Sequence, residues 1–129
     1  MKRTAYLAGT VYGLLAVALG AFGAHALEDL LATNGHADVY DTASHYQIIH
    51  AILLVVMGLV AERGESKWLR AGIVASTMGI LVFSGSLYVL SIFDIPIMGA
   101  ITPVGGIGLL VGWASLFFHF YSTTKSTNP

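Results

Sequence analysis

The chain has 129 residues, 56% of them hydrophobic and only 10% charged, with a formal net charge of −1. A soluble domain of this size carries roughly a quarter charged residues, so the deficit points to a bilayer rather than to an aqueous core. Near-neutral charge argues against a nucleic-acid partner, and the absence of cysteine removes disulfides, thiolate chemistry and thiol metal sites.

Lys2 and Arg3 precede an apolar run from Thr4 to Leu27. At ~1.5 Å per residue this run exceeds the ~30 Å hydrocarbon core. Ala24-His25-Ala26 also has the form of a signal-peptide cleavage site, but continued hydrophobicity downstream favours a retained helix. Glu28 to Thr42 is polar and acidic, turns at Asn34-Gly35, and allows a short amphipathic helix through Leu27, Leu30 and Leu31 on the membrane surface. A second span is expected over 43–61. Glu62 to Arg70 is a charged hairpin turning at Gly64, with Trp68 placed as an interfacial anchor. The third span covers 71–93, and a loop with Pro96 and Gly99 follows. Thr102 suits an N-cap and Pro103 a first helical position, which starts the fourth span and gives it the limits 103–121. The polar tail from Ser122 to Pro129 is expected to fray.

These elements define one all-α domain over 1–129, an integral membrane four-helix antiparallel bundle with spans at about 4–27, 43–61, 71–93 and 103–121. Lys2, Arg3, Arg63, Lys67, Arg70 and Lys125 fall on one side of it, and the acidic loop and Asp94 on the other. By the positive-inside rule both termini are cytoplasmic. Small residues mark the helix faces that meet other helices, because they let backbones approach. Gly9, Gly13, Ala16, Gly20 and Gly23 form one such stripe, and Gly72 and Gly79 continue the spacing in the third span. Gly105, Gly108 and Gly112 do so in the fourth. Tight packing is implied, with the lipid bilayer as the surrounding partner and a homo-oligomer or membrane-complex contact as a further use of these faces.

The densest polar group lies at the start of the second span, in Tyr40 to Ala51, which contains His45, Tyr46, Gln47 and His50. At ~100° per residue Gln47 and His50 share the small-residue face, while His45 points away from it toward the headgroups or the acidic loop. Ser84 and Tyr88 on the third span and Thr102 on the fourth lie at a comparable outer depth. Backbone N–H groups near Gly105 and Gly106 add donors at a helix start. Gln47, His50, Ser84, Tyr88, Thr102, Gly105 and Gly106 are therefore the candidate ligand site, suited to a lipid-like or quinone-like headgroup. The structural alternative is that these groups satisfy one another as interhelical hydrogen bonds, with no cavity.

A metal has a weak candidate in His25 with Glu28, three residues on, or Asp29, four residues on, along one helical face, with His36, Asp38 and Asp41 in the loop that follows. Haem would need two histidines at matched depth on facing helices; His25 and His45 match in depth but point away from the small-residue faces. No nucleophile elbow, P-loop, dinucleotide fingerprint or zinc-protease motif occurs, so neither an enzymatic activity nor a cofactor is implied.

Five segments together resemble a known family. They are Gly20 to Leu27; Thr42-Ala43 with Tyr46-Gln47 and His50-Ala51; Phe83 to Tyr88; Ile101 to Gly106; and Gly112-Trp113. In them the chain resembles the YgdD/YwdK-type family, small bacterial inner-membrane proteins catalogued as a domain of unknown function. The resemblance covers nearly the whole chain. It implies a multi-span protein of the bacterial inner membrane and carries over no catalytic residue. The expected role is a structural or accessory membrane component, with a lipid-like ligand as a refinement. The alternative is a small-molecule, ion or proton transporter acting as an oligomer.

Overall fold

A computed structural model describes residues 1–126, and every regular element among them is a helix: α1 (Lys2–Ala24), α2 (Glu28–Asn34), α3 (Ala37–Glu62), α4 (Lys67–Phe93) and α5 (Met98–Ser126). All but α2 are long and apolar enough to cross a membrane. They alternate in direction. The start of α1 meets the end of α3 through Lys2 Nζ and Glu62 Oε2 at 2.9 Å. The start of α4 meets the end of α5 through Ser66 Oγ and His119 Nδ1 at 2.8 Å. Packing follows chain order: α1 lies mainly on α3, α3 on α4 and α4 on α5. The apolar core runs through Leu53, Leu54, Met57, Leu69, Ile73, Ile80 and Leu109.

Helix limits depart from the apolar runs where local chemistry decides. α1 stops at Ala24 because His25 leaves helical geometry, at φ −127° and ψ −77°. His25 and Glu28 therefore sit on either side of a break, and the single helical face proposed for a metal does not exist. No group of three or more metal-ligating side chains gathers among the described residues. α3 starts at Ala37, six residues before its apolar run, with Asp38 in its first turn, where a carboxylate favours the helix dipole. Ser66 caps α4 by accepting the Leu69 N–H at 3.1 Å.

The largest departure is at α5. Thr102 is not its cap and Pro103 is not its first residue: the helix begins at Met98, and Pro103 lies inside it. The i to i+3 bonds Met98 N–H to Ile95 O and Gly99 N–H to Pro96 O wind the chain into the helix one turn earlier. Thr102 Oγ1 donates instead to Met98 O at 3.1 Å. Membrane helices tolerate an internal proline when neighbouring groups hold the backbone in place. At its other end α5 continues helical from Ser122 to Ser126, where fraying was expected; the rest of that tail lies outside the described residues.

The short amphipathic helix is α2, which buries Leu31 and ends at Gly35 in the left-handed region, φ 71°. Asn34 Nδ2 donates to Ser91 O and Ile92 O, at 3.1 and 3.0 Å, which caps the open carbonyls at the end of α4. Asp94 follows in a left-handed conformation, φ 51°, and its carboxylate meets His36 Nε2 at 2.8 Å.

Candidate functional site

Leu53 apart, the buried residues of α3 are Tyr40, Ala43, Gln47, His50, Ala51, Leu54, Met57, Gly58 and Ala61. The steps are those of one helical stripe, so the same phase that buries leucine carries Gln47 and His50 inward. Gln47 is 3% exposed and His50 5%, whereas His45 is exposed. A buried amide or imidazole needs partners, and both find them.

Gln47 joins three helices. Its Nε2 donates to Tyr12 O on α1 at 2.9 Å, and its Oε1 accepts the Tyr88 hydroxyl of α4 at 2.8 Å. Ser84 Oγ donates to Ala43 O at 2.8 Å, a second tie between α4 and α3. Tyr12 OH crosses from α1 to Thr77 O at 3.0 Å. Tyr40 OH reaches back to Leu19 O at 2.5 Å, and its ring meets Tyr88 edge-on at 5.0 Å.

His50 belongs to a different cluster. Its Nδ1 lies 2.7 Å from Tyr46 O, and the Trp113 indole N–H donates to its Nε2 at 3.1 Å. A carbonyl can only accept and an indole can only donate, so the ring is neutral with its proton on Nδ1. Tyr46 stacks on His50 at 5.9 Å and touches Phe83 at 4.7 Å. Thr102 lies apart from both, sharing a 2.7 Å bond with Ser86 in the contact between α4 and α5. Gly105 presses on the Phe83 backbone, and Gly106 would place a Cβ 3.7 Å from the Phe83 ring.

The seven candidate residues thus fall into a Gln47–Tyr88–Ser84 group, a His50 group and a Thr102 group. The cleft next to Gln47, Ser84 and Tyr88 holds about 150 Å³ and opens between α1, α3 and α4, not toward α5. Small-molecule sites occupy ~300–1,000 Å³. Tyr12, Tyr40 and Trp113 are the partners that sequence reasoning did not place. Tyr40 had a usable signal, because it precedes Gln47 by two helical turns on the same face. The pairing of Trp113 with His50 had none, since it depends on the rotation of α5 against α3.

Comparison with known proteins agrees with this architecture. Residues 19–106 match the family described as "Protein of unknown function (DUF423)". The UPF0382 membrane protein YwdK of Bacillus subtilis (strain 168) is 42% identical over 107 residues, covering 81% of this chain and 85% of that protein. A UPF0382 membrane protein of Haemophilus influenzae is 40% identical over 111 residues, 86% and 88% of the two chains. The UPF0382 inner membrane protein YgdD of Escherichia coli (strain K12) is 34% identical over 115 residues, 88% and 86% of the two. No solved structure matches the chain. With four membrane-crossing helices and relatives that align along most of their length, the chain belongs to the DUF423, or UPF0382, family of membrane proteins.

Proposed function

We propose that this protein is a non-enzymatic structural or accessory component of the bacterial inner membrane, built as a single four-span domain with both termini in the cytoplasm. The observation that carries the reading is the closure of the Gln47 and His50 networks. Each nitrogen and oxygen of the two side chains has a partner within the bundle, so the polar atoms are used to tie helices together. The small cleft beside Gln47 supports hydrogen bonding between helices over a quinone or lipid headgroup at that depth. The gathering of Lys2, Arg3, Arg63, Lys67 and Arg70 at one end supports the orientation. The face of α1, the least covered of the spans, supports a contact with another subunit or membrane protein.

Two measurements test this. Purified protein in proteoliposomes should pass no more protons or ions than empty vesicles; a flux abolished by Gln47→Leu or His50→Phe would overturn the structural role in favour of transport. For orientation, Gly35→Cys should react with an impermeant external thiol reagent once the outer barrier is opened, and Glu65→Cys should not. Labelling of Glu65→Cys in intact inner membranes would reverse the topology.

A further inference from the structure

At the basic end of the bundle, the last turns of α3 and α5 and the loop between α3 and α4 enclose a groove of about 750 Å³. This is within the size range of small-molecule sites. Its apolar wall includes Val56, Leu59 and Phe120, which are 39%, 58% and 49% exposed. Its polar rim carries Glu62, Arg63, Glu65, Ser66 and His119.

The rim is not electrically neutral once its internal pairs are assigned. Glu62 Oε2 binds Lys2 Nζ at 2.9 Å, and its Oε1 accepts from Tyr6 OH at 3.4 Å. Glu65 Oε1 meets the N-terminal ammonium at 3.1 Å, and Arg70 Nε lies 3.9 Å from its Oε2. Both carboxylates are therefore neutralised by cations from α1 and α4. Arg63 has no ion pair among the described residues.

His119 adds a directional donor. It is 6% exposed, and its Nδ1 lies 2.8 Å from Ser66 Oγ. Ser66 Oγ already accepts the Leu69 N–H, so its own proton is free to turn to His119 Nδ1. In the tautomer that accepts this proton at Nδ1, the imidazole carries its own proton on Nε2, which has no partner among the described residues. That nitrogen is not sealed in, since Ser76 Oγ is the one fully enclosed, unpartnered side-chain atom among those residues. A guanidinium and an N–H donor above an apolar wall suit an anionic headgroup with a hydrocarbon chain. The depth suits one too: Trp68 stacks on Phe118 at 5.0 Å, with Lys67 Nζ 5.4 Å from the indole centroid, an interfacial arrangement.

We propose that this groove binds an anionic phospholipid, its phosphate held by Arg63 and the His119 Nε2–H and one acyl chain lying over Val56, Leu59 and Phe120. The site is at the opposite end of the bundle from the Gln47 network and does not depend on the role proposed for it.

The test is native mass spectrometry of the full chain after incubation with equal amounts of phosphatidylglycerol and phosphatidylcholine bearing the same acyl chains. Wild type should retain the anionic lipid over the zwitterionic one by on the order of tenfold, as expected for a charge-assisted contact. Arg63→Gln, at an exposed position without an ion pair, should remove that preference and leave the melting temperature unchanged. Val56→Trp, which fills the groove, should lower retention of both lipids. Arg3→Gln, a basic residue of the same end outside the groove, should change nothing. Equal retention of the two lipids by wild type, or a loss in Arg3→Gln matching that in Arg63→Gln, would overturn the site. Displacement of phosphatidylglycerol by excess inorganic phosphate would overturn the lipid and leave a free-phosphate site.

Discussion

The contact of α1 with α3 and the contact of α4 with α5 both contain glycine, yet glycine does different work in each. Between α1 and α3 it mostly seats aromatic rings: a Cβ at Gly23 would strike the ring of Tyr40, and one at Gly58 would come within 2.7 Å of Tyr6. Gly9 is the exception there, lying against Ala51 O. Between α4 and α5, backbone meets backbone at Gly79, Gly105 and Gly108. A Cβ at Gly105 would overlap the Phe83 main chain, and one at Gly108 would lie 2.9 Å from Ala75 O and 3.0 Å from Gly79 Cα. The first contact is then reinforced by directional bonds from Tyr40, Tyr12 and Gln47. The second has the Ser86–Thr102 pair and, at its end, the Ser66–His119 pair, and it encloses Ser76 Oγ with no partner among the described residues. A ring can shift or be trimmed, whereas a main chain cannot give way without parting the helices. Gly9 apart, the same residue type is thus replaceable in the first contact, and at Gly105 and Gly108 it is obligatory in the second.

Four substitutions sharpen or break that contrast. Gly105→Leu should be the most damaging, costing ~3 kcal/mol or more, because the clash is with backbone. Unfolding in detergent micelles measures it, and a stability equal to wild type would mean that α5 is not held against α4 at this point. Gln47→Leu should cost ~1–3 kcal/mol by stranding the Tyr88 hydroxyl. Adding Tyr88→Phe should restore part of that loss, since it removes the stranded group; a purely additive double variant would show that the amide and hydroxyl are not coupled. Gly20→Ala should have the opposite sign. A Cβ there meets nothing within 4 Å, so the better helix former should stabilise by ~0.5–1 kcal/mol. Destabilisation would reveal a partner packed on that face.

The smallest effect lies at the end of the α1–α3 contact. The hydrogen bond from the N-terminal ammonium holds the Glu65 carboxyl below its ordinary range, against a smaller opposing effect of burial. A carboxyl with a lowered folded-state pKa adds stability above its unfolded pKa and loses it as pH falls through the lowered value. Wild type should therefore exceed Glu65→Gln slightly at neutral pH, and the gap should close below the carboxylate range. Added salt should shrink it as well, because the pair is at the surface. A gap that widened in acid would show that Glu65 acts otherwise than through this pair.

The four crossings could be read from the sequence because each is a long apolar run between charged or turn-forming segments. The inward phase of α3 was legible too, since Gln47 and His50 share a stripe with Ala51, Leu54 and Gly58. What the sequence did not reveal is how one stripe rotates against another. Gln47 turned toward Tyr12 and Tyr88 and His50 toward Trp113, so residues only one turn apart on α3 serve different neighbours. Thr102-Pro103 misled for a local reason. A threonine before a proline is a strong helix-start signal in water, but within an apolar run the hydroxyl can bond the preceding turn and the helix continues through. Gly20 shows the limit of spacing arguments: it keeps the period of its stripe, yet a Cβ there would meet nothing within 4 Å, while Gly23, three residues on, packs against the Tyr40 ring.

The cap that Asn34 places on α4 has a consequence in time. Asn34 and Ser91 are 57 residues apart in sequence. At ~5–20 residues per second of synthesis, the amide emerges roughly 3–11 s before the carbonyls it will bind. Over that interval α2 has only Leu31 and its neighbours to hold it, and the whole of α3 and nearly all of α4 must be made before it can dock. The helix that emerges second is therefore among the last parts to take its final shape, and a chain stalled before Ser91 should leave α2 open to protease while α1 and α3 are already protected.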